Sequence, residues 1–145
     1  MKGLIGQIFI NPLQLQISPQ MEKQQVDVLL VDDDPDICQM LTAILEFEGY
    51  NTYSCSVAAD IPELLSGMTP RLILMDMLLS GADGRDLCKD LKSDPAVSQM
   101  RIVMMSAHPD AELTCLKAGA DDFIPKPFDF DYFMEKIRVN LNGQE

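Results

Sequence analysis

Residues 26–34 read VDVLLVDDD, and the fold follows from how this stretch is understood. Its apolar core, Val28 to Val31, is unbroken, too short for a helix and without the polar alternation of a half-exposed strand. Such a run is what a parallel strand covered on both faces looks like. It ends on three carboxylates, Asp32, Asp33 and Asp34. Three further runs end in the same manner: RLILMD on Asp76, RIVMMSA with Ser106, and DDFIPKPF with Lys126. In an open parallel sheet, ligands bind outside the carboxyl ends of the strands. The four polar endings therefore converge on one acidic pocket, and carboxylates, a hydroxyl and an ammonium together suit a divalent cation and a phosphoryl group.

Outward from that stretch, strand and helix alternate five times. The expected strands are Val26–Asp32, Tyr50–Ser54, Leu72–Asp76, Ile102–Ser106 and Asp122–Ile124. The first helix begins after Asp34-Pro35, an acidic cap followed by a proline at the first helical position. Ile37, Met40, Leu41, Ile44 and Leu45 recur along it at helical spacing, and Gly49 ends it. Further helices are expected at Ala58–Leu65, Arg85–Lys92, Pro109–Ala118 and Asp129–Leu141. This is the pattern of a doubly wound α/β domain with right-handed crossovers.

The chain has 145 residues, 47% of them hydrophobic and 23% charged, which suits one soluble globular domain. With 23 acidic against 11 basic residues, the net charge of −12 repels nucleic acid and anionic lipid, so neither is expected as a partner. Cys38, Cys55, Cys88 and Cys115 lie far apart without a CxxC pair, as buried reduced thiols of a cytoplasmic protein would. The ten methionines read as core filler. No run of 18 apolar residues exists, so no membrane span is expected. Residues 1–25 stand outside the strand–helix pattern and lack a small-residue cleavage site. They are expected to be a non-essential extension, with residues 26–145 as the domain. Only a few residues follow the last helix, so no attached output domain is expected.

The ordered strings VDDDPDI, LILMDMLLSGADG, IVMMSAH and GADDFIPKPF resemble the receiver domain of bacterial response regulators, from about Val26 to Asn142. The resemblance implies a five-stranded parallel sheet of order 2-1-3-4-5 with helices on both faces. It also implies two-component signalling: a stand-alone receiver takes a phosphoryl group from a sensor histidine kinase or a histidine phosphotransfer protein onto Asp76. Mg²⁺ would be the cofactor, ligated by Asp33, Asp76 and the main-chain carbonyl of Leu78, and by Asp32 through water. Lys126 and Ser106 would contact the phosphoryl group, and a cis peptide is implied between Lys126 and Pro127. Phe123 falls at the family's switch aromatic, making the helix 4–strand 5–helix 5 face, with Ala111 and Leu113, the surface for an unknown downstream partner. His108, two residues past Ser106, is either a surface residue or one that tunes phosphate lifetime.

The pattern departs at Ser80, where the family usually carries proline, a change expected to loosen the loop without removing a catalytic group. Two other readings remain open from the residues. Asp32-x-Asp34 after a strand also fits a haloacid-dehalogenase-type phosphatase with Asp32 as nucleophile, though Asp36 and the missing second aspartate pair fit it poorly. A degenerate receiver acting only as a binding module is the other. Among these, the receiver is no enzyme in the ordinary sense, acting only on its own phosphorylation state.

Overall fold

The computed structural model describes residues 23–143. The expected extension falls outside them as far as residue 22. Five parallel strands form the sheet: β1 (Gln24–Val31), β2 (Thr52–Cys55), β3 (Met68–Asp76), β4 (Arg101–Ser106) and β5 (Asp122–Pro125). Their spatial order is β2-β1-β3-β4-β5, as expected. The helices are α1 (Pro35–Phe47), α2 (Ile61–Gly67), α3 (Gly84–Ser93), α4 (Ala111–Lys117) and α5 (Phe130–Asn142). A 3₁₀ turn over Ala58–Asp60 precedes α2, so the single helix expected from Ala58 is two pieces, with Pro62 in the first turn of the second.

The largest departure lies at the start of the sheet. β1 begins at Gln24 and β3 at Met68, earlier than the apolar runs alone indicate, because Gln24, Gln25 and Val26 pair with Met68, Thr69 and Pro70. Backbone pairing, not side-chain hydrophobicity, extends these strands. Asp32 lies just past β1 and not within it.

Alternate residues of the strands serve opposite layers. Val28, Leu30, Leu72 and Leu74 pack against α1 and α5 through Leu41 and Phe133. Leu29, Ile73, Ile102 and Met104 pack against α2, α3 and α4 through Ile61, Cys88 and Cys115. Each such Leu, Ile or Val contributes about 1.5–3 kcal/mol when fully buried. Seven methionines are buried in these layers, in keeping with the filler role, while Met40 is half exposed. All four cysteines are free and buried, and burial pushes Cys88 and Cys115 up to about 11. Among the described residues, no helix is long and apolar enough to cross a membrane.

An aspartate precedes each of the five helices, and in three its side chain makes the capping bond. Asp34 accepts from the Asp36 amide at α1, Asp83 from Arg85 at α3, and Asp129 from Tyr132 at α5. Thus Asp34 is a helix cap, exposed and turned to its own backbone. At the amino end of the sheet, fully buried Asn140 of α5 accepts from Arg101 and donates to Asp122, which also pairs with Lys136 at 2.8 Å. Beside it Lys92 of α3 pairs with Asp121, whose carboxylate accepts from the Ile102 amide.

Candidate functional site

At the other end of the sheet, β1 and β3 end side by side and bring three carboxylates together. One ligand oxygen each from Asp32, Asp33 and Asp76 lies within 4.8 Å of the others. Lys126, in the loop after β5, reaches into this group: its Nζ donates to Asp76 Oδ1 at 2.9 Å and stands 3.6 Å from Asp32 Oδ2. The Lys126 amide donates to Ser106 O, which ties the loop to β4, and the Lys126–Pro127 peptide is cis, as the resemblance implied.

Each carboxylate has its own surroundings. Asp32 is 2% exposed and accepts from the Asp34 amide on Oδ1, but its buried Oδ2 has no hydrogen-bond partner, only the ammonium of Lys126 beyond bonding distance. Burial lifts the Asp76 carboxyl above its usual range, against the pull of Lys126. Lys126 loses by burial too, yet its bonds and charge contacts with Asp76 and Asp32 win and raise its pKa. The two results agree once one ammonium is seen to serve several carboxylates. Asp33 lies nearer solvent, and the hydroxyl of Ser80 holds its carboxyl below the usual range.

Three negative charges thus face one positive charge, a surplus that favours a cation. Hard cations with oxygen ligands suit such a donor set, and Mg²⁺ commonly takes one or two carboxylates with waters and phosphate. The orphaned Asp32 Oδ2 is a polar atom of the kind such an ion or its water satisfies. The residues present therefore fit Mg²⁺.

The acidic group opens into a cleft of about 490 Å³ lined by Asp76, Leu78, Ser106, Ala107, His108 and Lys126. Ser106 is buried and its Oγ accepts from the His108 amide at 3.0 Å. His108 is exposed, with Nδ1 3.2 Å from the Asp110 amide. Phe123 is buried in the layer that holds Ala111 and Cys115 of α4. Ala111 is buried as well, so of the two α4 residues expected on the partner face only Leu113 is exposed; Val139 and Phe130 of α5 are exposed with it.

The sequence reading missed the loop between β3 and α3. Leu78–Leu79 pairs antiparallel with Ala82–Asp83 and forms a two-residue ribbon. Gly81 turns it with φ +75°, and Ser80 Oγ donates to Asp33 Oδ2 at 2.6 Å. The loop is held rather than loosened. Its only signal in the sequence was the departure from proline.

A raised carboxyl pKa has a consequence for stability. Asp76 favours the fold fully only below its unfolded value, near 3.8, and that advantage is lost as pH rises through its higher folded value. At neutral pH its charge works against the cation-free fold, while Lys126 keeps Asp32 as a partner. Asp76→Asn is therefore expected to raise the melting temperature in chelator at pH 7, with the gain shrinking as pH falls towards 4. A lower melting temperature at pH 7 would show that pairing with Lys126 outweighs burial.

Fold and site together define a doubly wound α/β protein whose acidic mouth lies at the carboxyl ends of β1 and β3. Residues 28–138 match the response regulator receiver domain, and the chain belongs to that family. It is 33% identical over 127 residues to the DNA-binding response regulator MtrA of Mycolicibacterium smegmatis, covering 86% of this chain and 54% of that protein. The chain thus spans about half the length of the curated relatives it matches. Among solved structures, the receiver domain of NtrX from Brucella abortus is 31% identical with a TM-score of 0.73, covering 80% of this chain and 98% of that one. The signal receiver domain of a histidine kinase from Syntrophus aciditrophicus is 31% identical with a TM-score of 0.75, covering 81% and 91%.

Proposed function

We propose that this receiver domain accepts a phosphoryl group on Asp76 from a phosphohistidine of a sensor kinase or phosphotransfer protein. The observation that carries the reading is the contact of Lys126 with Asp76 inside a three-carboxylate cluster. Receiver domains are signalling proteins rather than classical enzymes, and the chemistry proposed here is confined to the domain's own aspartate. A P–O bond forms at Asp76 as the P–N bond to the donor histidine breaks, and the electron pair leaves with the imidazole.

In this reading Asp33, Asp76 and the Leu78 carbonyl would hold Mg²⁺, and Asp32 would do so through water. The bound ion would neutralise charge on the phosphoryl oxygens. Lys126 holds one Asp76 oxygen and offers its ammonium to the transferring group, whose transition state is loose and anionic. The Ser106 Oγ accepts from the His108 amide, which leaves its proton to be donated to a phosphoryl oxygen. Movement of Ser106 and Phe123 would then carry the signal to a downstream protein on the surface of α4, β5 and α5, where Leu113 and Val139 are exposed. His108, beside the cleft, would influence how long the phosphate survives. A cytoplasmic location and protein partners complete the proposal. The relatives named as DNA-binding are longer proteins, 54% of whose length this chain covers, and the acidic receiver itself is not proposed to contact nucleic acid.

The phosphatase alternative would need Asp34 as acid/base, yet that carboxylate is spent on the α1 cap. Incubation with acetyl phosphate and Mg²⁺, followed by intact-mass measurement and peptide mapping, separates the two. One phosphoryl group on Asp76, lost with chelator, is expected. A label on Asp32 with turnover of small phosphate esters would select the phosphatase instead.

A further inference from the structure

Ser80 joins two loops that are 47 residues apart, and it does so at the carboxylate nearest solvent. Asp32 is held by burial and the Asp34 amide, and Asp76 by Lys126. Asp33 has neither. Its carboxylate accepts at 2.6 Å from Ser80 Oγ, a length typical of a charge-assisted O–H···O⁻ bond, and the Ser80 and Asp33 amides give it weaker support.

The turn around Ser80 explains why a serine here matters. Leu79 pairs with Ala82, so Ser80 and Gly81 are the two central residues of the connection. Gly81 has φ +75°, whereas no described residue other than glycine has positive φ. A negative φ followed by a positive one is the sign pattern of a type II turn, whose first central position favours proline and whose second favours glycine. Proline, usual at this position in the family, would set the turn but has no hydroxyl. This chain gives up that stiffening, and the hydroxyl in its place reaches across to the β1–α1 loop.

We propose that Ser80 is a positioning residue for cation capture: its hydroxyl fixes one oxygen of Asp33 and leaves the other to the ion. The inference rests on the metal-site reading above. Without the bond, an exposed aspartate samples several rotamers, and ordering it must be repeated at each binding event. Outer-shell partners of metal ligands typically change affinity 10–100-fold, and a bond this exposed belongs at the lower end.

Calorimetric titration with Mg²⁺ and acetyl phosphate labelling across a Mg²⁺ series test it. Ser80→Ala is expected to weaken Mg²⁺ binding about tenfold and to raise the Mg²⁺ concentration for half-maximal labelling by the same factor. The labelling rate at saturating Mg²⁺ should stay at the parental value. Ser80→Thr, which keeps the hydroxyl, should restore affinity. Parental affinity in Ser80→Ala, with Asp33→Ala still abolishing binding, would overturn the role of Ser80 and leave the site reading intact. Binding unaffected by Asp33→Ala would overturn the site reading, and this inference with it.

Discussion

Acetyl phosphate is expected to leave Asp76→Ala without a phosphoryl group and to label Lys126→Ala about 10²–10³-fold more slowly than the parent protein. The first outcome follows from loss of the proposed acceptor. The second follows from the arithmetic of charge at the site. Lys126 is the one ammonium in contact with the carboxylate group among the described residues, 2.9 Å from Asp76 and 3.6 Å from Asp32. A positioned donor that meets developing negative charge contributes about 2.7–4 kcal/mol to a transition state, which is the stated rate factor. Its removal also strips buried Asp32 of its counter-charge, so the cation-free variant should melt at a lower temperature and recover in Mg²⁺. Circular dichroism in Mg²⁺ guards against a folding artefact. A folded Lys126→Ala labelled at the parental rate would remove this lysine from the mechanism.

Gly84→Ala should be the most damaging single methyl group at the site. A Cβ on Gly84 would lie 2.6 Å from the carbonyl oxygen of Asp76, 3.0 Å from that of Met77 and 3.0 Å from Met104 Cε. The methionine tip can yield; the two carbonyls cannot without moving the end of β3. Nor can α3 simply retreat, since the Gly84 amide donates to Met77 O at 2.7 Å. Overpacking of this kind costs about 2–3 kcal/mol, or roughly 6–15 °C in melting temperature for a domain of this size. Because the struck atom belongs to Asp76 itself, labelling should slow as well. A variant melting within about 2 °C of the parent would show that the β3–α3 junction is more compliant than its contacts indicate.

Much of this was legible in the sequence because four of the five strands announce themselves twice, once by an apolar run and again by the polar residue at or just past its end; β2, TYSC, does not. VLLV before Asp32 and LILM before Asp76 place both carboxylates at the same end of one sheet, whatever the loops do. Asp34-Pro35 marks the start of α1 for purely local reasons. What escaped was of two kinds. The first three residues of β3, Met68 to Pro70, have no strand pattern and become strand only because Gln24–Val26 lies beside them. The tie between Ser80 and Asp33, and the bonds joining Arg101, Asn140 and Asp122, are pairings between distant positions. No period or spacing encodes them. Ser80 looked like a weakened turn because the loss of proline is visible locally and the acceptor of its hydroxyl is not.

The polar cluster at the amino end of the sheet bears on how Phe123 can move. Asp121 is gripped by Lys92, and Asp122 by Lys136 and Asn140, while the Phe123 amide itself bonds to the Asp122 carboxylate. The main chain entering β5 is therefore anchored from α3 and α5 immediately before the aromatic ring. Sliding the strand would break the three bonds to Lys92, Lys136 and Asn140, whereas turning the ring about its Cα–Cβ axis breaks none of them. Phe123 sits like a vane on a fixed post: side chains turn between staggered headings, so any change here falls to the ring and not to the post.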